Sequence, residues 1–383
     1  MTGSSIANIG TFDIENFGDL LFPEILKRGL SKRIDLEYIS LFSPTGGPKP
    51  FEPNIRVQPI TNFDAEHNKH KFNAVILGGG DLFRLDTSIS EFYTQRMTPA
   101  TQLLWNVSTF AEKHSIPVIW NSIGVPFQFR FENERTLVRE YCNHIKYLAV
   151  RDHRSKNFLL DAGVDREILV VPDTAVALSK YFDKNALVRH FSKLNKEIGL
   201  DIERDFLIFQ SSPGFVWGEE NIKWVADILL SIKLKYHLEI VLLPIGYCHN
   251  DGMTLERINR VHPHRFHYIE NKLSPIDILS TLVSSQFFIG SSLHGNITAY
   301  SYGIGHISIN TANLVKLNGF FDLINELDFS LKSLLNLDAA FDRKMNPTLP
   351  NPKEQQNKIR DDLINQVEQH FNQVAQIITQ VTF

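Results

Sequence analysis

Ala74-Val75-Ile76-Leu77-Gly78-Gly79-Gly80-Asp81 is the stretch that decides the fold. Four aliphatic residues run without polar alternation, the pattern of a short strand covered on both faces, as in a parallel sheet. The glycines follow at the carboxyl end of that strand, where open α/β sheets take their ligands, and they leave successive backbone N–H groups open to an anion or a sugar. Working outward, similar runs at Ile6 to Ile9, Leu36 to Leu41, Val118 to Asn121, Tyr147 to Val150 and Ile168 to Val171 predict further strands. Between them apolar spacing predicts helices over Asp19 to Leu30, Ala100 to His114 and Asn133 to Ile145. Strand and helix alternate as in βαβ units, so residues 1–180 read as one doubly wound, Rossmann-like domain.

Residues 181–205 turn polar and charged and read as a linking helix, after which the alternation restarts. Strands are predicted at Phe206 to Gln210, Glu239 to Leu243, Phe266 to Ile269, Gln286 to Ile289 and His306 to Ile309. Helices are predicted over Glu219 to Tyr236 and after Ser274-Pro275, a cap followed by a first-turn proline. Residues 206–346 are thus a second α/β domain. Pro347 to Asn357, with three prolines, reads as an extended connection, and Ile364, Val367, Phe371, Val374 and Ile378 mark a long amphipathic helix completing residues 347–383.

Composition narrows the function. The chain has 383 residues, 43% hydrophobic and 21% charged, which suits two packed domains and excludes disorder. A net charge of −4 without long runs of one sign excludes a nucleic-acid footprint. Two cysteines, Cys142 and Cys248, in so long a chain read as reduced and intracellular. No basic residue precedes Lys27, and no apolar stretch reaches the roughly 18 to 20 residues of a spanning helix. The expectation is a cytoplasmic protein, with contact at the inner face of a membrane left open.

Four segments after strands could carry chemistry. The loop Gly10 to Asp19 offers Asn16 and Gly18 for tight backbone geometry, with Asp19 either capping the next helix or facing a ligand. Gly78, Gly79, Gly80 and Asp81 form the second, an anion or sugar site or a plain tight turn. In Val150-Arg151-Asp152, Arg151 could clamp a carboxylate or phosphate, and an internal Arg–Asp pair is the equal alternative. The sharpest is Ile289-Gly290-Ser291-Ser292-Leu293-His294-Gly295-Asn296, where an apolar strand runs through small hydroxylic residues into a helix start. A bound anion there would favour the protonated imidazole of His294 and make it a general acid. His249 and Asp251 add a polar cluster after another strand. No H-E-x-x-H, paired C-x-x-C, G-x-G-x-x-G, Walker lysine or G-x-S-x-G occurs, so no metal and no resident cofactor is expected.

Taken in order, Asn16-Phe17-Gly18-Asp19, Gly78-Gly79-Gly80, Ser122-Ile123-Gly124-Val125, Val150-Arg151-Asp152 with Ser155, Val171-Pro172-Asp173, Ser291-Ser292-Leu293-His294-Gly295 with Ala299 and Gly303, and Lys316 ahead of Gly319-Phe320 resemble the polysaccharide pyruvyl transferase family. The resemblance covers residues 1 to about 325. It implies two Rossmann-like domains facing across a cleft, GT-B-like, with the C-terminal helix crossing back. It further implies phosphoenolpyruvate as donor, a free or lipid-linked saccharide as acceptor, and a pyruvate ketal as product. His294 would be the general acid and Arg151 the anchor of the donor's carboxylate or phosphate. Ser291, Ser292, Leu293, Gly295, Asn296 and Lys316 would hold the donor, leaving the N-terminal half to the acceptor. Many members carry arginine two residues before this histidine; here that position is Ser292, so the resemblance asks another residue to supply the second cation. Two other readings share the scaffold: a GT-B glycosyltransferase using a nucleotide sugar, and a noncatalytic carbohydrate-binding protein.

Overall fold

The computed structural model describes residues 3–84, 111–346 and 352–380. The chain divides into two units, the first of Met1–Ile14, Asp19–Thr174 and Leu363–Phe383, the second of Glu15–Gly18 and Ala175–Asp362.

The first unit is built on β1 (Ser4–Ile9), β2 (Leu36–Ser43), β3 (Gly47–Lys49), β4 (Glu52–Pro59), β5 (Ala74–Gly78) and β6 (Val118–Asn121), in the order β3-β4-β2-β1-β5-β6. All pairings are parallel except that of β3 with β4 at the edge. A parallel pair, β7 (Ala149–Val150) and β8 (Leu169–Val170), continues the run through single bridges from Ile119 to Tyr147 and from Ile123 to Val150. Every residue of β5 is buried, as its unbroken apolar run requires of a central parallel strand. The strand order reverses beside β1, so the carboxyl ends of β1 and β5 flank a crevice.

The second unit carries β9 (Phe206–Gln210), β10 (Glu239–Leu242), β11 (His267–Tyr268), β12 (Phe287–Gly290), β13 (Gly305–Ile309) and β14 (Ser330–Leu331), all parallel, in the order β11-β10-β9-β12-β13-β14. In chain order that is the 3-2-1-4-5-6 arrangement of the dinucleotide fold, with its switch point between β9 and β12. Phenylalanines fill both cores: Phe42, Phe63 and Phe72 cluster in the first, and Phe287 meets Phe341 edge-on at 4.7 Å in the second.

The structure departs from the sequence reading in places. The units divide at Thr174/Ala175, ahead of the 181–205 segment expected to link them. That segment holds the helix Lys184–Glu197, capped by Asp183, which buries Leu187, Phe191 and Leu194 and belongs to the second unit. Its His190 pairs with Asp277 at 2.6 Å, and Asp277 in turn forms a capping box with Ser274, the expected cap. The last helix starts at Pro352, inside the stretch expected to be extended, because a first-turn proline gives up no helical hydrogen bond. Residues 347–351, and most of the helix expected at Ala100 to His114, lie outside the described residues.

The helix Pro352–Thr379 serves both units, its residues from Leu363 onward belonging to the first. There Val367, Phe371, Val374 and Ile378 are buried, and Arg33 bonds Asn372 at 2.6 Å and Glu368 at 2.9 Å. Buried His370 bridges Asn121 at 2.8 Å and the Tyr147 hydroxyl at 3.1 Å.

Candidate active site

At the switch point of the second unit a cavity of about 260 Å³ opens at the carboxyl ends of β9, β10 and β12. Asn16, His249, Asp251, His294 and Lys316 line it together with Ser291, Ser292 and Leu293, so eight of the residues singled out from sequence share one pocket. β12 ends at Gly290 and the helix Leu293–Ser301 begins almost at once, with the Ser292 hydroxyl accepting a hydrogen bond from the N–H of Gly295 at 3.2 Å. His294 therefore stands in the first turn, where open N–H groups and the helix dipole favour an anion. Asn296 and Gly295 are buried inside the helix; Asn296 donates to the carbonyls of Gly290 and Ser292, a structural rather than ligand-facing role.

Glu15–Gly18 supplies the other wall. The N–H of Phe17 bonds the backbone carbonyl of Ile245 at 3.1 Å, and the Asn16 side-chain oxygen Oδ1 accepts from the N–H of Gly18 at 3.1 Å. Asn16, not Asp19, thus opens the helix Phe17–Ser31. A Cβ on Gly18 would collide with Nδ1 of His294, so glycine is required there for the imidazole to occupy its place. The Asn16 amide also lies 3.3 Å from Nε2 of His249, a residue exposed at the mouth of the pocket. Crowding by surrounding protein, then the Lys316 ammonium, lower the pKa of His249, an effect weakened by the solvent that reaches it.

A brace beneath this pocket was not anticipated. Gln210, last residue of β9, donates to Asp251 at 2.8 Å and accepts from the N–H of Ser292 at 2.9 Å. The same Asp251 oxygen accepts from the N–H groups of Ile245 at 3.1 Å and Gly246 at 2.8 Å. Burial pushes the Asp251 carboxyl above the ordinary carboxylate range, against these hydrogen bonds, which pull it down. Through that one oxygen Asp251 holds the loops that shape the pocket. A polar residue ending an apolar strand was the available signal for Gln210.

The remaining candidates gather in the first unit. Gly79 and Gly80 have φ of +76° and +82°, and the close packing of Phe22 leaves no room for a side chain at Gly79. Beside them Arg151, 5% exposed, pairs closely with Asp81 and lies 3.7 Å from Asp173 and 3.9 Å from Asp152, which also caps the helix His153–Asp161. Burial works against its charge, but the carboxylates of Asp81, Asp173, Asp152 and Asp19 outweigh it and raise its pKa. Arg151 is therefore a counter-ion among acids, closer to the internal-pair reading than to a clamp open to an anion. Among the described residues no cluster of three or more His, Cys, Asp or Glu side chains could hold a metal, and no helix is long and apolar enough to cross a membrane.

Comparison with solved structures at low identity shows the fold. UDP-GlcNAc 2-epimerase from Neisseria meningitidis matches with a TM-score of 0.61 at 14% identity, covering 99% of this chain and 100% of that one. The UDP-GlcNAc 2-epimerase from Methanocaldococcus jannaschii matches with 0.60 at 14%, covering 93% and 98%. A glycosyltransferase from Rickettsia africae matches with 0.56 at 10%, covering 100% of both chains. The architecture is that of the GT-B glycosyltransferases and epimerases, with two Rossmann-like domains. A search of curated sequences gives no significant match. The family model for polysaccharide pyruvyl transferase matches residues 16–313, a span running from the Asn16–Gly18 turn past the His294 helix, and the chain belongs to that family.

Proposed function

We propose that the protein transfers the pyruvyl group of phosphoenolpyruvate to two hydroxyls of one sugar in an exopolysaccharide or cell-envelope glycan, forming a ketal and releasing phosphate. The observation that carries this reading is the seating of His294 against Gly18 in a pocket also lined by Lys316. A proton donor, a cation and a helix N-terminus meet in a space suited to a small polyanion.

In this reading His294 protonates the methylene carbon of the donor, and the adjacent carbon becomes an oxocarbenium centre that one sugar hydroxyl attacks. Phosphate then leaves and the second hydroxyl adds. The two hydroxyl protons balance the reaction, one in the new methyl group and one on phosphate. Lys316 and the first-turn N–H groups hold the phosphate or carboxylate, filling the place that many relatives give to the arginine replaced here by Ser292. In the first unit Asp19, Asp81 and the backbone of Gly78 to Gly80 are groups able to hydrogen-bond a saccharide, with Arg151 as their counter-ion. Phosphoenolpyruvate is a cytoplasmic metabolite, which puts the reaction in the cytoplasm on a free or lipid-linked acceptor.

The test is phosphate release from phosphoenolpyruvate against a panel of free and lipid-linked saccharides. Release is expected only when an acceptor is present. His294→Ala should keep its circular dichroism spectrum and lose about 10²- to 10⁴-fold in rate. Tight binding of a nucleoside diphosphate by calorimetry, with no response to phosphoenolpyruvate, would instead mark a nucleotide-sugar transferase.

A further inference from the structure

Two of the four tryptophans, Trp217 and Trp224, are exposed, at 69% and 45%, and both line one cavity of about 440 Å³ in the second unit. Large indoles facing solvent together are costly unless something covers them. The local chain explains how they come together. Gly218, with φ of +79°, turns the loop after β9 into the helix Glu219–Tyr236, and the Trp217 carbonyl accepts from the Asn221 side chain at 2.9 Å. That helix buries Ile222, Val225 and Leu229 on its core side and leaves Trp224 on the cavity side.

The rest of the lining identifies the ligand class. Glu220 and Lys332 place a carboxylate and an ammonium beside the two indoles, Ser333 adds a hydroxyl, and Leu334 and Leu335 extend the apolar surface. Flat apolar rings ringed by such groups suit a pyranose, whose C–H face packs on an aromatic surface while its hydroxyls hydrogen-bond at the rim. A prenyl chain would set an apolar surface against the Glu220 carboxylate and the Lys332 ammonium. The diphosphate of a nucleotide would meet the Glu220 carboxylate. Phe215 lines this cavity and also the pocket of His294, and its carbonyl is held by the Thr311 hydroxyl at 2.7 Å, so the two spaces are neighbours.

We infer that Trp217 and Trp224 form a saccharide subsite, holding a sugar unit of the acceptor glycan other than the one that reacts. The inference rests on the reading of the protein as a transferase that acts on a glycan. The experiment is calorimetry on the full chain with cellotetraose, chitotetraose and a β-linked galactotetraose as probes. At least one should bind the wild type, bind His294→Ala equally, and bind Trp217→Ala/Trp224→Ala about tenfold more weakly or less. Trp217→Phe/Trp224→Phe should recover most of the affinity, which separates ring stacking from damage to the fold; if the double alanine variant does not fold, Trp217→Ala alone takes its place. Three results would overturn the proposal: no tetrasaccharide binds, binding ignores the indoles, or UDP or farnesyl phosphate depends on them instead. Indole-dependent saccharide binding without phosphate release from phosphoenolpyruvate would keep the subsite and retire the pyruvyl-transfer reading. Phosphate release with a tetrasaccharide KM unmoved by the double variant would do the reverse.

Discussion

Each unit has a switch point in its parallel sheet, and the two carry opposite electrostatics. At the second unit's switch point Lys316 and His294 line a pocket at a helix N-terminus, beside a His249 whose pKa is lowered, and one oxygen of Asp251 accepts from Gln210 and backbone N–H groups. At the first unit's, Asp19, Asp81, Asp152 and Asp173 surround a single buried Arg151. One architecture thus carries a lysine-lined pocket at a helix N-terminus in one unit and a buried arginine among carboxylates in the other. The fold sets where a ligand can sit; a handful of side chains sets which charge it carries.

The largest effect is expected from Gly18→Ala. The new methyl displaces His294, and phosphate release from phosphoenolpyruvate should fall about 10²- to 10⁴-fold, as if the acid had been removed, with little change in melting temperature. Turnover near the wild-type rate would mean that the cationic pocket is not organised around that histidine. Arg151→Ala tests the acidic end: it strands buried carboxylates, and denaturant melts should show a loss of about 3 to 5 kcal/mol. Unchanged stability together with a raised KM for phosphoenolpyruvate would restore the arginine as a donor clamp and erase the contrast. Lys316→Met should raise the KM for phosphoenolpyruvate about tenfold and leave the KM for the sugar alone, since one charge-assisted contact is worth about 1.5 kcal/mol or more; steady-state kinetics with each substrate varied decides it.

The smallest expected effect follows acidity. Burial, above all, pushes His306 in the second unit down to about 4 and His370 in the first down to about 3. Both are held neutral in the folded state, so the unfolded chain takes up protons first. The stability they contribute is intact above pH 6.5 and declines as the pH falls toward those values. Between pH 7 and 5.5 each should cost about 1 kcal/mol, read from melts of wild type against His306→Gln and His370→Gln. A flat profile would show that neither imidazole is held neutral by the fold.

Much of this was legible in sequence because parallel strands buried on both faces announce themselves as unbroken apolar runs. β5, β9 and β12 were all placed that way, and the glycines and small residues after them marked the ligand ends. What escaped depends on partners remote in the chain. Arg151 and Asp81 stand 70 positions apart and Gln210 and Asp251 41 apart, and nothing in the local pattern says that they pair. Hence sequence alone leaves the arginine evenly balanced between a clamp and an internal pair, and gives no partner to the glutamine at the end of β9. The helix Lys184–Glu197 reads as a link because its polar majority hides a stripe of only three buried residues.

The last helix has a consequence for how the molecule is made. Because residues from Leu363 onward complete the first unit, that unit is not a continuous stretch of chain. During synthesis its sheet leaves the ribosome long before the helix that supplies His370 to Asn121 and Glu368 to Arg33. Until then the nascent first unit carries an unfilled groove and unpaired polar groups, while nearly all of the second unit is already available to fold. Completion of the first unit therefore waits for the helix Pro352–Thr379, and truncations within that helix strike the sheet made earliest.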